Sequence, residues 1–255
     1  MRAMLTLRLP LFLGCILFAA DGALAQPTPI DLGTLGDSVT YPLGMNNRGD
    51  VVGYSSGRLP SRAFLWTEKT GMFDLGALDS GATTAVAVND RGQVVGTSGA
   101  NGPRPGLHGS HAFLWTKQDG MVDLGTLGGT FSFAYDVNEA GAIVGYSALP
   151  GDTEEHAFLW TKQDGMVDLT LDGFRSVAYA INDRGQVVGR NGTLDPLSIH
   201  AFVWTASKGM VDLAPLPGYA SSEAFLVNNS GQVVGISYTE GVVADSRPTM
   251  WRATD

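Results

Sequence analysis

Asn89-Asp90-Arg91-Gly92-Gln93-Val94-Val95-Gly96 is the stretch that decides the fold. A polar Asn-x-x-Gly phrase running straight into β-branched residues signals a hairpin. The Asn side chain caps a type I turn, and the Gly takes the left-handed conformation of a bulged hairpin. The phrase returns as Asn46-Asn47-Arg48-Gly49, Asn138-Glu139-Ala140-Gly141, Asn182-Asp183-Arg184-Gly185 and Asn228-Asn229-Ser230-Gly231. A fixed period of this kind points to a repeat architecture.

Working outward, the strand before the phrase, here named a, is typified by Phe133-Ala134-Tyr135-Asp136-Val137. Strand b is the Val-Val-Gly run that follows. After a loop of variable length comes strand c, an aromatic phrase: Arg62-Ala63-Phe64-Leu65-Trp66, then His111 to Trp115, His156 to Trp160, His200 to Trp204, and a degenerate Pro248-Thr249-Met250-Trp251. A turn such as Lys117-Gln118-Asp119-Gly120 leads to strand d, Met121-Val122-Asp123-Leu124. The Asp-Leu pair of that strand recurs at Asp31, Asp74, Asp123, Asp168 and Asp212, so one repeat takes 43 to 49 residues. Four antiparallel strands in that length match one propeller blade. The β-branched and aromatic enrichment favours strand over helix.

The ends bear on closure. The last repeat stops after its strand c, while Pro27-Thr28-Pro29-Ile30-Asp31-Leu32 reads as a strand d without its a, b or c. The expected fold is all-β: a five-bladed β-propeller of four-stranded blades, closed by an N-terminal outer strand that completes the last blade and hides a sheet edge. An open solenoid is the rival architecture.

Composition agrees. Of 255 residues, 34 are Gly, 12 are Pro and only 16% are charged. Past residue 25 no stretch exceeds thirteen residues without a Gly or Pro, which excludes long helices. The net charge of −9 argues against nucleic-acid or anionic-membrane partners, which need clustered Lys and Arg. Residues 1–25 read as a cleaved secretory signal peptide. Arg2 and Arg8 precede an apolar run from Leu9 to Ala20, and Ala23-Leu24-Ala25 supplies a small-residue cleavage site. A lipoprotein reading through Cys15, the one cysteine, is the weaker alternative. Residues 26–255 are then expected as a single propeller domain, monomeric, without disulfides or a membrane span, exported to the periplasm or outside the cell.

The His-Ala-Phe phrases at His111, His156 and His200, with the Asp-Leu-Gly and Asn-x-x-Gly-x-x-Val-Gly motifs, resemble the bacterial extracellular repeat family named HAF after that tripeptide. The resemblance implies export and repeated β-structure; it implies no particular chemistry.

Residues present in every repeat are explained by scaffold before they are explained by a site. The three His fan around a ring instead of converging, so they are expected to pair with neighbouring backbone groups and to hold no metal. No cofactor is expected. The five Trp are expected as wedges between blades, and the repeated Asp is expected to satisfy turn amides. Asymmetry is where a site is sought. Asp136 interrupts the column Gly44, Ala87, Ala180, Leu226, and Glu223 interrupts the column Tyr41, Thr84, Phe133, Val177. Two such carboxylates suit a glycosidase, with Asp136 and Glu223 as acid and base or nucleophile. In an antiparallel blade the b–c and d–a loops share one face. That face carries Arg104 and His108 in repeat two, Phe131, Glu154 and Glu155 in repeat three, and Phe174, Arg175, Asp195 and Tyr219 beyond. Aromatics interleaved with polar groups suit recognition of a carbohydrate or protein ligand. A binding or interaction module is the leading expectation and no enzyme activity is required by it; a glycoside hydrolase and a purely structural envelope protein stay open.

Overall fold

Each Asn-x-x-Gly phrase closes a hairpin by the expected chemistry. The glycine amide donates to the asparagine carbonyl, as in Gly92 to Asn89 at 3.0 Å and Gly185 to Asn182 at 3.0 Å. Gly49, Gly92, Gly141, Gly185 and Gly231 have φ between 75° and 84°, a region that glycine enters without steric cost. The asparagine Oδ1 accepts amides from inside its own turn, for example Arg91 at 3.1 Å and Gln93 at 3.0 Å. The structure is a computed structural model describing residues 28–57, 60–79, 81–100, 109–170, 175–192, 198–239 and 245–252. The expected leader, with Cys15 in it, lies outside these residues.

Nineteen strands form five antiparallel sheets, and no helix occurs among the described residues. Sheet one is β1 (Val39–Met45), β2 (Val51–Ser56), β3 (Arg62–Thr67) and β4 (Gly71–Asp74). Sheet two is β5 (Thr83–Val88), β6 (Val94–Ala100), β7 (Gly109–Thr116) and β8 (Gly120–Asp123). Sheet three is β9 (Ser132–Val137), β10 (Ile143–Ala148), β11 (Glu155–Thr161) and β12 (Gly165–Asp168). Sheet four is β13 (Ser176–Ile181), β14 (Val187–Gly192), β15 (Ile199–Thr205) and β16 (Gly209–Leu213). Sheet five is β17 (Ser221–Val227), β18 (Gln232–Tyr238) and β19 (Ser246–Arg252). Strands neighbour one another in chain order throughout, and each repeat supplies one sheet. Leu32–Asp255 forms one compact unit.

The aromatic phrase divides its labour. Ala63, Ala112, Ala157 and Ala201, with Phe64, Phe113, Phe158 and Phe202, are fully buried. The tryptophans reach backwards: Trp115, Trp160, Trp204 and Trp251 each pack on a cluster shared with the preceding sheet, as expected of wedges. Trp251 also donates Nε1–H to the Ala214 carbonyl at 2.8 Å. Fully burying a side chain of this size contributes about 1.5–3 kcal/mol, so these inter-sheet clusters dominate cohesion in a chain without an expected disulfide.

Polar rungs add register between sheets. Asn46 Nδ2 donates to the Asn89 carbonyl at 3.0 Å, Asn89 to that of Asn138 at 2.9 Å, Asn138 to that of Asn182 at 3.1 Å, and Asn182 to that of Asn228 at 2.9 Å. A second belt links the next residues: Asp90 accepts from the Asn47 amide, Glu139 from Asp90, Asp183 from Glu139 and Asn229 from Asp183. Residues of all five hairpins line one pocket of about 420 Å³.

One element departs from expectation. Residues 28–37 contain no strand, and sheet five holds three strands among the described residues. The four strands d that do form are each delivered by a tight turn from strand c, with Gly71, Gly120, Gly165 and Gly209 at positive φ. In the N-terminal segment Pro29 removes a backbone donor that a strand would use.

Candidate functional site

A recurring irregularity builds the most distinctive surface. In every sheet the register between strands a and b slips by one, leaving Leu43, Val86, Tyr135, Tyr179 and Phe225 as extra residues. The cause is visible at the Val-Gly step. A Cβ built on Gly53, Gly96, Gly145, Gly189 or Gly235 would collide with the facing backbone carbonyl of Tyr41, Thr84, Phe133, Val177 or Glu223. Only glycine allows that close approach, and the bulge it accompanies re-aims the extra side chain.

In repeats three to five the re-aimed residues are aromatic, and they join into a continuous ladder. Phe131 meets Phe133 edge-on at 6.0 Å, and Phe133 stacks on Tyr146 at 5.1 Å and 10°. Tyr146 stacks on Tyr135 at 5.8 Å, Tyr135 meets Tyr179 at 5.6 Å, and Tyr179 meets Phe225 at 5.7 Å. The rings are half-buried except Phe225, which is 39% exposed. Sheet two interrupts this surface with Thr84, Val86 and Thr97; sheet one carries a separate pair, Tyr41 and Tyr54, at 5.3 Å.

Charged groups sit at the far end of the ladder. Glu223, 14% exposed, accepts from Tyr238 at 3.0 Å and from Tyr179 at 3.4 Å, and lies 3.7 Å from Arg190. Burial pushes the Tyr179 hydroxyl up to about 12; the Glu223 charge pushes the same way and Arg190 opposes it. Burial likewise raises Tyr135 and Tyr146. The phenols are neutral donors across the physiological range. Flat, partly exposed rings beside fixed donors and an ion pair can stack on a ligand and hydrogen-bond its edge.

Of the residues singled out from sequence, Phe131 is in the ladder and Glu223 is at its end. Asp136 is held elsewhere: its oxygens accept from the Val137 amide at 2.8 Å and the Ile181 amide at 2.9 Å, tying sheet three to sheet four. Burial raises its pKa, against the pull of those two amides. No hydrogen bond or ion pair joins Asp136 to Glu223 among the described residues; β13 packs against both their strands. Glu154 pairs with Arg175 at 3.3 Å on the exposed surface, and Glu155 opens β11. Tyr219 donates to Asp245 and accepts from Arg247. Arg104, His108, Phe174 and Asp195 lie outside the described residues. Phe133, Tyr135, Tyr146, Tyr179, Phe225 and Arg190 were missed from sequence. Aligning the residue after Val-Gly across repeats, Tyr54, Thr97, Tyr146, Arg190 and Ile236, would have exposed part of the signal.

The histidines correct an expectation. Their first partner is a carboxylate and not the backbone: Nδ1 of His111, His156 and His200 lies 2.8, 2.7 and 3.4 Å from Oδ2 of Asp123, Asp168 and Asp212. Arg62 occupies the same place in repeat one and pairs with Asp74 and Asp37. The Asp123 hydrogen bond, helped by its charge and the Thr130 backbone, raises the His111 pKa despite burial. The repeated Asp also serves the turn as expected, since Oδ1 of Asp74, Asp123 and Asp168 accepts the amide two residues on at 2.8 Å. Among the described residues no three ligating side chains of His, Cys, Asp or Glu converge.

The arrangement defines a propeller-like, all-β repeat protein. It matches 84% of this chain to 32% of the chain of dipeptidyl peptidase 4 from Porphyromonas gingivalis, at 9% identity and a TM-score of 0.51. The chain thus spans about a third of that enzyme's length, and the likeness is one of fold. A gluconolactonase from Xanthomonas campestris aligns over 80% of this chain and 86% of its own at 13% identity, with a TM-score of 0.34. No family model matches, and no curated protein matches by sequence.

Proposed function

We propose that this chain is an exported binding module of the HAF-repeat type that recognises a carbohydrate, or failing that a protein segment, on the aromatic face of repeats three to five. The observation that carries the reading is the unbroken series Phe131, Phe133, Tyr146, Tyr135, Tyr179 and Phe225, ending at Arg190 and Glu223. Stacked rings carry no sequence of charges to satisfy, yet they offer flat apolar area beside hydrogen-bond donors, which is what a sugar ring presents in return. The glycosidase alternative gains nothing from the geometry, because Asp136 spends both oxygens on backbone amides. The closed five-bladed ring belongs to the same proposal. Closure would add a fifth rung from Asn228 to the Asn46 carbonyl to the four present.

The test is a glycan and polysaccharide binding screen on the purified protein, assayed in parallel for released sugar. Phe133→Thr and Tyr146→Thr are compared with the parent, because Thr84 and Thr97 stand at those places in repeat two. Binding without release, lost in both variants, supports the reading. Release of sugar, or binding unchanged by the variants, overturns it.

A further inference from the structure

A second cavity, of about 690 Å³, opens between sheets one and two at the hairpin end of the molecule, away from the loop face. Its lining is cationic in a chain of net charge −9: Arg48, Lys69, Arg91 and Lys117 against Asp50 and Glu68. Arg48 is paired with Asp50 at 2.5 Å and lies over Gly92 of the adjoining hairpin. Among the described residues no ion pair reaches Arg91, Lys69 or Lys117. The cavity also contains two rings, Phe73 and Trp115, at 5.7 Å and 51°.

The repeats themselves show that this is not scaffold. Position three of the hairpin reads Arg48, Arg91, Ala140, Arg184 and Ser230, so only the first junction carries Arg on both sides. The second strand-d residue reads Phe73, Val122, Val167 and Val211, so among the described residues this is the junction where a ring at that place meets the next tryptophan. Unpaired cations beside an aromatic surface match an anion carried on a ring: the charge meets guanidinium and ammonium groups while the ring lies on Phe73 and Trp115. We propose that this cleft is a binding site for a small organic carboxylate borne on a flat ring, either an acidic sugar or an aromatic acid. The proposal is independent of the aromatic face, which lies on other sheets.

The experiment titrates the purified protein with two matched pairs, trigalacturonate against its methyl ester and 2-naphthoate against 2-naphthamide, followed by Trp fluorescence and calorimetry. The expected result is that at least one acid binds, that its neutral counterpart binds about tenfold weaker or less, and that Arg91→Ala and Phe73→Val each weaken the acid by about tenfold. The two variants install residues that other repeats carry at the same places, so folding is preserved; circular dichroism checks it. Affinity should also fall as salt rises from 50 to 500 mM. Tyr146→Thr should leave this binding unchanged, which separates the cleft from the aromatic face. Equal binding of acid and neutral counterpart, undiminished binding in Arg91→Ala, or binding of neither acid at millimolar concentration overturns the proposal.

Discussion

Truncating the hairpin asparagines should cost unequal amounts. Asn182 is 4% exposed; its Oδ1 accepts the Arg184 and Gln186 amides at 3.0 Å, and its Nδ2 donates to the Gln186 side chain at 2.8 Å and across sheets to the Asn228 carbonyl at 2.9 Å. Asn228 serves its own turn in the same way, accepting from Ser230 and Gln232, but among the described residues its Nδ2 donates to the Gln232 side chain alone. Asn182→Ala and Asn228→Ala therefore share the loss of the turn cap and differ by one inter-sheet bond. The Asn228 carbonyl keeps the Gly231 amide, so the difference is the net contribution of one hydrogen bond, about 0.5–1.5 kcal/mol. At roughly 2–4 °C per kcal/mol for a chain of this size, Asn182→Ala should melt about 1–6 °C below Asn228→Ala. Differential scanning calorimetry on the two variants and the parent reads the difference, and urea titration with an unchanged m-value confirms that stability alone has moved. Equal and large losses would refute the reasoning by showing that Asn228 makes the same bond, to Asn46 across a closed ring. Equal and small losses would refute it by showing that the rung contributes nothing.

Three further outcomes are expected. Gly145→Ala places a Cβ against the Phe133 carbonyl and should cost about 2 kcal/mol or more, with Tyr135 displaced and near-ultraviolet dichroism altered; a neutral substitution would remove the steric explanation of the bulge. The His111 and Asp123 pair stabilises the fold fully below the unfolded histidine pKa of about 6.5 and loses that contribution as pH rises through the raised folded value. The deficit of His111→Ala against the parent, ~0.5 kcal/mol for so exposed a pair, should be larger at pH 5.5 than at pH 8.5, while His111→Arg, which copies Arg62, should show no such pH dependence; a deficit that grows with pH would contradict the assignment. Trp160→Ala, which empties the wedge between sheets two and three, should destabilise by about 3 kcal/mol or more, and a loss below 1 kcal/mol would show that the wedge is not needed.

The hairpins and the four-strand repeat were legible from sequence because each is a local consequence of residue type and period. Asn-x-x-Gly makes its turn from its own atoms; that both Ala and Phe of strand c are buried was not legible, because adjacent strand residues face opposite sides and both sides are covered only when sheets pack. Of the strand expected at residues 27–32, residues 28–32 form none although they repeat the strand-d pattern, and Pro29 removes one of the backbone donors such a strand needs. The partners across a gap were not legible. His111 finds Asp123 twelve residues on because strands c and d pair, and Asp136 reaches the Ile181 amide because two sheets pack; neither follows from spacing. The aromatic ladder stands furthest from the sequence. Its residues come from four strands and the loop before β9, in three repeats, and its links from sheet to sheet run through the one residue per repeat that a glycine-dependent bulge re-aims. Sequence by itself determined the unit and its turns, since those are short-range. The tertiary structure alone decided which unlike residues of successive units share a surface, since that depends on the packing of one sheet against the next.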